Sequence, residues 1–548
     1  MSDSLLVDAL EAAETLASPV TGFLPTKAPL VDLPPPFLEL SDACAQLPGR
    51  YHGQDYDCRP WLDQQFGRER PEWLHAASGA DEHLRHNLMT KTSLLCHAYR
   101  WQGMPTPPEN YQLKTIRLPP GLESLWAHLA ERMMVPRVGI FYTMVANNWR
   151  LSGVEPGQAY DVEQLRDEAI DLVHSWLNPP LHEELRTFVS TALCIEARGA
   201  KILNHIQQAC HCVLRQNAQE ATYHLTFLAA TILSINSIFN RGIKKARIHP
   251  DHFLRFVQPT MIWLLDHGDG PLEGASGPQA CTFQLLDSFL GVPRQTALGE
   301  MIEQARRYML PGHRALLEKF DRTGPVLREF VQQSDAPRLL EAYNRCLKLM
   351  QAWRTSHQKR GAMYLEGEAQ HYVSTGLVVK DPVDRAEHFE RTMEEHIVAT
   401  RGQTLANPWE GHEHGLDYLF RFLTPSQREK LALKTEVFAM AAGETILAQG
   451  DLFPGLFSLK SGTAAVVKRI QAEERVVDRL QPHQIFGEMS LIENLPASAS
   501  IVAEVDLEVV QVSLETVYDL INENREAEGD FYLALAQLLS HRLRNRFS

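Results

Sequence analysis

Three things are scarce in this 548-residue chain, and each scarcity excludes a class of protein. The eight cysteines are scattered, which argues against a disulfide framework, and no apolar leader follows Met1, so we expect a cytoplasmic protein. Lysine and arginine (53) are outnumbered by aspartate and glutamate (68), giving a net charge of −15, whereas nucleic acids and anionic membranes select basic surfaces. The longest apolar run, near residues 225–235, is shorter than the roughly 18 residues of a membrane span. We therefore expect neither a nucleic-acid partner nor a membrane partner.

Two histidine-containing segments could suggest a metal site. In Cys210-His211-Cys212 the thiols are two residues apart, but no second ligand pair follows at zinc-site spacing. Adjacent residues of a helix also point to different sides, so buried packing is favoured over metal binding here. His412 and His414 lie among proline and glycine, and exposed loop histidines are the favoured interpretation.

The chain is longer than one hydrophobic core usually supports, which predicts two or three domains. Residues 1–50 contain Pro34-Pro35-Pro36 and are predicted to form an extended lead-in. We predict a small helical subdomain over residues 1–135, a large helical domain over 136–405 and a linker over 406–415. Apolar residues at helical spacing predict helices in residues 81–101, 122–149, 182–215, 220–241 and 336–364.

The pattern changes after residue 416. Short segments rich in β-formers are separated by Gly450, Gly455 and Gly462, which is typical of a small β-barrel or jelly roll. A helix over residues 530–544 is predicted to close the chain. The predicted fold class is therefore an all-α part followed by a β jelly roll over residues 416–548.

His357 is the most informative candidate site residue. In Arg354-Thr355-Ser356-His357 an imidazole and a guanidinium are three residues apart, so both lie on one face of the predicted helix. In one pocket, the imidazole of such a pair can bind a metal ion and the guanidinium can bind an anionic group. A single helical histidine is more often a surface or core residue, and this chain has 23, so the surrounding sequence decides.

Further segments accompany His357 in a characteristic order. This order and spacing resemble the indoleamine 2,3-dioxygenase family, whose members cleave an indole ring with haem iron and dioxygen. The resemblance covers about residues 20–405. The segments that carry it are Asn147-Asn148-Trp149, residues 188–196, 253–259, 274–279, 283–292, 307–314 and 354–357, with Ser374-Thr375-Gly376 at the position of a glycine-bearing loop.

The resemblance implies a haem b site with one protein ligand. His357 would bind the iron, leaving the opposite face for O2, and Arg354 would contact a propionate. The chain has no C-x-x-C-H motif, so the haem would be held non-covalently. Ser276 would lie near a propionate, where small neighbours let the backbone approach. Asp287 would either fix the ligand helix or be an ordinary surface or N-cap acid, and both interpretations stay open.

On the substrate side the resemblance implies three positions. Phe188 would pack against the substrate, and Ala192 stands where the family often has serine or histidine, so no general base is expected there. Gln258 stands where the family has an arginine that grips the substrate carboxylate. A neutral amide in place of that charged partner would cost about 1.5–3 kcal/mol. Arg255, one turn earlier, is the alternative partner for a carboxylate.

Three functions follow from these expectations. The first is a haem-dependent dioxygenase that inserts O2 across the C2–C3 bond of tryptophan or a related indole, giving an N-formylkynurenine-type product. The second is a haem oxygenase of secondary metabolism acting on an indole that lacks the carboxylate or is otherwise modified, which Gln258 favours. The third is a non-catalytic haem-based gas or redox sensor, which an attached regulatory domain favours.

The C-terminal part resembles a cyclic nucleotide-binding domain. Gly487 and Glu488 match the opening of its phosphate-binding cassette, where the glutamate accepts a hydrogen bond from the ribose. Ala497 stands where the family has the arginine that meets the phosphate. The resemblance therefore implies weak or absent nucleotide binding and favours a scaffold or homodimerisation module, with Lys468 and Arg469 as alternative phosphate partners.

Overall fold

A computed structural model describes residues 2–50, 57–101, 115–265, 272–365, 385–406, 415–421, 423, 425–452, 455–470, 473–493, 495–522 and 525–546. The chain forms two compact units, one of residues 1–335 and 339–405 and one of residues 336–338 and 406–548. The predicted loop at Ser374-Thr375-Gly376 and the histidines His412 and His414 lie outside the described residues, as does most of the predicted linker.

The first unit is helical, with one two-stranded antiparallel sheet of β1 (Arg150–Leu151) and β2 (Ile170–Asp171). Its helices are α1 (Ser2–Leu16), α2 (Leu38–Arg50), α3 (Arg59–Phe66), α4 (Pro71–Ser78), α5 (Glu82–Trp101), α6 (Pro120–Met133), α7 (Leu181–Glu196), α8 (Gly199–Leu214), α9 (Ala218–Gly242), α10 (Pro250–His252), α11 (Cys281–Leu290), α12 (Ala297–Ala305), α13 (Pro311–Phe320), α14 (Gly324–Gln333), α15 (Pro337–Leu365) and α16 (Arg385–Arg401). Single π-helical turns occur at Tyr142–Ala146 and Phe253–Val257.

One large apolar core runs through this unit, from the segment before α2 to the segment before α13. Each buried tryptophan removes about 150–250 Å² of surface from water, so these residues dominate the burial energy. The same core includes residues on both sides of position 135, and the division of the helical part there stays a prediction. The fully buried tryptophans are Trp73, Trp101, Trp126, Trp149, Trp176 and Trp263.

Three of the helices predicted for the first unit are confirmed as α5, α9 and α15, and three other expectations are wrong. The predicted helix 122–149 ends at Met133, where Met134 takes a left-handed conformation (φ 52°). The predicted helix 182–215 is interrupted between α7 and α8. There Gly199 brings the backbone so close to α11 that an added Cβ would lie 2.6 Å from the Thr282 hydroxyl. The N-terminal segment is helical on either side of its prolines, not extended, because α1 and α2 bury apolar faces.

Among the described residues, one helix, α9, is long and apolar enough to cross a membrane by length and composition alone. Its 25 residues extend well beyond the apolar run seen in the sequence. The helix packs against α7 and α8, and Leu225, Ile232 and Ile235 are buried there. A helix packed within its own domain can be equally long and apolar, so length and composition do not distinguish such a helix from a membrane span.

The described strands of the second unit are β3 (Thr435–Met440), β4 (Thr445–Leu447), β5 (Gly455–Ser461), β6 (Ala464–Ile470), β7 (Glu473–Leu480), β8 (Ile485–Phe486), β9 (Ser500–Ala503) and β10 (Leu507–Ser513). They form two four-stranded antiparallel sheets, with strand orders β3-β10-β5-β8 and β4-β9-β6-β7. This confirms the predicted jelly roll after an all-α part. The helices of this unit are α17 (Leu416–Leu419), α18 (Pro425–Leu433), α19 (Glu488–Glu493), α20 (Leu514–Asn522) and α21 (Arg525–Arg546), and α21 confirms the predicted closing helix.

Candidate functional site

A cavity of about 320 Å³ lies inside the helical unit, within the size range of cofactor and ligand sites. Helices α7, α9, α11, α12, α15 and α16 line it, together with the segments around residues 258 and 276. The structure brings every predicted site residue of this unit to one cavity, while the role of each stays a prediction. These residues are Phe188, Ala192, Gln258, Ser276, Asp287, Arg354 and His357.

His357 is surrounded by aromatic rings on the cavity wall. Trp353 stacks beside it with ring centroids 5.4 Å apart, and Phe239 and Phe389 present their edges at 5.6 and 5.7 Å. Burial, reinforced by the nearby Arg354 charge, lowers the pKa of His357 to about 4. Neither ring nitrogen forms a hydrogen bond with a described residue. The imidazole is therefore neutral at physiological pH, which is its metal-binding form.

Arg354 and Asp287 form a buried ion pair behind His357. The guanidinium donates one hydrogen bond to the Asp287 carboxylate and another to the Thr400 hydroxyl at 2.7 Å. Burial opposes ionisation of Asp287, but Arg354 and His396 outweigh it and hold the pKa of that carboxyl at about 2. Asp287 is 4% exposed, which rules out the surface-acid interpretation. The pair ties α11 to α15, the helix that carries His357.

The propionate contact expected for Arg354 stays a prediction that this geometry does not favour. Both of the hydrogen bonds described above direct its guanidinium at protein groups on α11 and α16. Sequence spacing placed Arg354 on the same helix face as His357 but could not identify its partner, because Asp287 lies 67 residues away.

Glu196 caps a helix on the other side of the cavity, a role that sequence reasoning missed. It is the last residue of α7, and its Oε1 accepts hydrogen bonds from the backbone amides of Cys281 (3.0 Å) and Thr282 (3.1 Å). These amides open α11 and have no partner within that helix. Burial raises the pKa of Glu196 to about 7, against the lowering effect of the donors at Thr282 and Cys281. Helix α11 is thus held by α7 at its start.

The substrate-side residues have distinct surroundings. Gln258 is 4% exposed and lines the cavity, as predicted from its sequence position. Arg255 is not among the described lining residues, and its Nε lies 2.9 Å from the Asp251 carboxylate. The alternative carboxylate partner is therefore directed elsewhere. Arg360 does line the cavity, but its Nε donates to the Asn240 side chain at 3.0 Å.

Ser276 lies in a tight loop at the cavity edge. Gly274 there has a φ of +99°, and a Cβ at this position would lie 2.1 Å from the Met261 carbonyl oxygen, so only glycine fits. The Ser276 hydroxyl is buried and has no hydrogen-bond partner among the described residues. Buried hydroxyls are normally paired, so an unpaired one at a cavity indicates a missing ligand group.

Two further cavity residues were not predicted. Trp353 lies four residues before His357, and that helical spacing was an available signal. Phe283 on α11 stacks on Trp353 with centroids 3.7 Å apart. No local sequence pattern indicates this second contact, because it joins two helices distant in the chain.

The cassette of the second unit has a different environment. Gly487 takes a left-handed conformation (φ +90°) immediately before α19, and Glu488, the first residue of that helix, is 5% exposed. The Glu488 carboxylate accepts a hydrogen bond from the guanidinium of Arg542 on α21. Ala497 is buried, and its amide donates to the carbonyl of Asp451 at 2.9 Å. The contact with Arg542 was not predicted from the sequence.

The two alternative phosphate partners lie on β6. Lys468 and Arg469 are both exposed, and the Arg469 guanidinium pairs with Glu474 at 3.0 Å. Their proposed contact with a nucleotide phosphate stays a prediction.

Comparison with known proteins assigns both units. The indoleamine 2,3-dioxygenase family profile matches residues 14–406, and that of the cyclic nucleotide-binding domain matches residues 438–524. Indoleamine 2,3-dioxygenase 2 of Homo sapiens is 23% identical over 345 residues, which cover 60% of this chain and 77% of the relative. Indoleamine 2,3-dioxygenase acdA of Aspergillus candidus is 26% identical over 381 residues, covering 64% and 86%.

The second unit has relatives of its own. A cAMP-dependent protein kinase regulatory subunit of Aspergillus niger is 34% identical over 94 residues, which cover 17% of this chain and 22% of the relative. The first profile spans more than half of the chain and includes every helix that lines the cavity. The chain therefore belongs to the indoleamine 2,3-dioxygenase family and carries a cyclic nucleotide-binding domain after the family's helical part.

Proposed function

We propose that the helical unit binds haem b through His357 and catalyses insertion of both atoms of O2 across the C2–C3 bond of an indole. The observation that carries this proposal is the position of His357. Its neutral imidazole lies on the wall of the cavity, held between aromatic rings and without a hydrogen bond to any described residue. Family membership supports the haem-dependent reaction class.

The residues present fit a haem group. An apolar, aromatic wall suits the faces of a porphyrin, and the neutral His357 ring suits its iron. The unpaired Ser276 hydroxyl at the cavity edge can donate to a propionate. The buried Asp287–Arg354 pair fixes the helix that bears His357, which is the usual task of groups behind a metal ligand.

Bound haem iron would supply dioxygen binding and the oxidative chemistry. The chain's own residues orient the substrate and exclude water. Phe188 packs on Phe253 at 5.3 Å and offers a ring face to a planar indole. Ala192 lines the cavity without a titratable group, so no side chain at that position removes the indole proton. Gln258 offers an amide to a substituent of the substrate.

Gln258 also supports a narrower substrate class. A buried carboxylate needs a charged partner, preferably bidentate. Neither candidate arginine is free for that task, because Arg255 faces Asp251 and Arg360 is bonded to Asn240. We therefore propose an indole without a carboxylate, or with a modified one, in preference to free tryptophan. A non-catalytic haem sensor is the remaining alternative.

The test of haem binding is His357→Ala in the full chain, reconstituted with haem. Loss of the imidazole ligand should abolish the Soret absorption of the five-coordinate ferrous haem and reduce haem stoichiometry. His128→Ala is the matched control, because this α6 histidine does not line the cavity and contacts Ser78. A normal haem spectrum in His357→Ala would disprove the ligand assignment.

Catalysis needs a separate measurement. The ferrous protein should consume O2 with indole, tryptamine or tryptophan and form a ring-opened product, detected by mass spectrometry with ¹⁸O2. Two labelled oxygen atoms in the product are expected for a dioxygenase. Haem binding without oxygen incorporation for all three substrates would favour the sensor.

A further inference from the structure

The Cys210-His211-Cys212 segment acquires new neighbours in the folded chain. It lies near the end of α8, and the next helix, α9, runs back along α8. The Cys212 sulphur, a Glu220 carboxylate oxygen and a His224 ring nitrogen lie within 4.8 Å of one another. Glu220 and His224 are four residues apart on one face of α9. The second ligand pair that the sequence did not supply by spacing therefore comes from the neighbouring helix.

His205 lies beside this cluster, outside the three donors that are within 4.8 Å of one another, and is the nearest candidate for a fourth ligand. It lies seven residues before Cys212, two turns earlier on the same face of α8. Its Nδ1 is 3.2 Å from the Nδ1 of His224. Two nitrogens bound to one tetrahedral zinc ion at about 2.0–2.1 Å stand about 3.3 Å apart. The observed separation is that of a hydrogen bond between the two rings, and a shared cation could replace this bond without moving the nitrogens far apart.

Aromatic contacts hold both imidazoles in this arrangement. The His205 ring stacks on Phe227 with centroids 5.3 Å apart, and Tyr223 presents its edge to His224 at 5.2 Å. Cys212 is buried, whereas the two histidines and Glu220 are partly exposed, so a hydrated cation can reach them. None of the four donors lines the haem cavity.

We propose that Cys212, Glu220, His224 and His205 bind one zinc-class divalent cation that joins α8 to α9. One thiolate, two imidazoles and one carboxylate are a donor set that zinc accepts with tetrahedral geometry. Four protein ligands leave no open position, so the bound ion stabilises the helical hairpin and takes no part in the oxygenase reaction.

The present hydrogen bonds of Glu220 are compatible with this role. Its carboxylate accepts from the Asn217 side chain at 3.1 Å and from Arg215 at 3.4 Å. The Arg215 side chain is 58% exposed, and exposed ion pairs of this kind are weak. A divalent cation therefore displaces the guanidinium into solvent.

The test uses full-length, haem-containing protein that has been stripped with a chelator and then dialysed against buffered Zn²⁺ alone. We expect one zinc per chain in the wild type, with sulphur and imidazole among its ligands by zinc K-edge absorption. Cys212→Ser and His224→Gln should each weaken zinc binding by about 100-fold or more. Cys210→Ser is the matched control, two residues away on another face of α8, and should keep the zinc.

Several outcomes would overturn the proposal. They are no zinc retained by the wild type, undiminished binding in both ligand variants, or an equal loss in Cys210→Ser. Circular dichroism of the zinc-free variants checks their fold, and the partly exposed His224 keeps the test valid if Cys212→Ser misfolds. Zinc should also raise the thermal midpoint of the wild type more than that of His224→Gln.

Discussion

In each unit of this chain, the resemblance predicts a neutral residue at a position where the family has an arginine that contacts an anionic group. In the helical unit that residue is Gln258, and a cavity of about 320 Å³ remains beside it. In the C-terminal unit it is Ala497, whose amide is bonded within the protein, while the nearby cassette carboxylate of Glu488 is engaged by Arg542. The two predicted positions therefore have different surroundings in the folded chain.

The difference lies in which polar groups still lack a partner. The helical unit keeps an unpaired Ser276 hydroxyl and a His357 ring without a described hydrogen bond. In the C-terminal unit, the Glu488 carboxylate already accepts a hydrogen bond from Arg542. A ligand gains most from polar groups that are unpaired without it, because groups already paired must first be separated. The helical unit is thus the better candidate for tight ligand binding.

The largest effect is expected from restoring the missing phosphate partner. Ala497→Arg should strengthen binding of cyclic AMP or cyclic GMP by roughly 150- to 5,000-fold, because a charge-assisted contact to a desolvated phosphate is worth about 3–5 kcal/mol. Calorimetry on the full chain measures this, and the unmutated protein should bind at roughly millimolar affinity. Combining Ala497→Arg with Arg542→Ala should strengthen binding further by releasing Glu488.

Micromolar binding of a cyclic nucleotide by the unmutated chain would contradict the conclusion that the C-terminal unit is the weaker ligand-binding site. It would mean that another cation, with Lys468 and Arg469 the first candidates, already meets the phosphate. Unchanged affinity in the double variant would instead show that the cassette no longer accepts a nucleotide.

The buried carboxyl of Glu196, at the cavity of the helical unit, should make the stability of the protein depend on pH. Its pKa rises from 4.5 to about 7 on folding, so the folded chain keeps a proton that the unfolded chain releases. The free energy of unfolding should therefore fall as pH rises from 4.5 to 7, by roughly 3 kcal/mol in total. Glu196→Gln removes this cost and keeps an acceptor oxygen for the amides of α11.

Urea unfolding of the wild type and Glu196→Gln at pH 5 and pH 8 measures the effect. The variant's advantage should be larger at pH 8. Glu183→Gln serves as the control, since Glu183 lies on the same helix with its side chain 62% exposed. An advantage that does not depend on pH would show that Glu196 stays ionised in the folded protein.

The smallest effect is expected at Gln258. Gln258→Arg should raise activity on tryptophan relative to tryptamine by roughly 10- to 100-fold, since a charged partner for the carboxylate adds about 1.5–3 kcal/mol. Steady-state rates with both substrates give the ratio, and Gln258→Met controls for the loss of the amide. An unchanged ratio in Gln258→Arg would mean that the carboxylate is not recognised at this position.

Local sequence pattern was sufficient for much of the fold. Helical periodicity predicted α5, α9 and α15, and glycine-separated β segments predicted the jelly roll. The same pattern wrongly joined α7 to α8. At their junction Gly199 lies close to Thr282 on α11, which is a tertiary contact that periodicity does not report. Periodicity records which face of a helix is apolar, not what that face meets.

For the candidate site, the sequence predicted several residues that line the cavity but not which residues they bond to. Resemblance to the family placed seven residues that the structure brings to one cavity. It did not reveal that Arg354 pairs with Asp287, that Glu196 caps α11 or that Arg542 engages Glu488. Each of these contacts joins residues more than 50 positions apart, and hydrogen-bond partners at that range follow from packing alone.

Helix α11 joins two of the helices that line the cavity. Its first amides are held by Glu196 of α7, and its Asp287 and Phe283 hold Arg354 and Trp353 of α15. Helix α11 thus connects α7, which carries Phe188, to α15, which carries His357. The walls of the cavity that carry Phe188 and His357 therefore have a common support, since both are attached to one helix of ten residues.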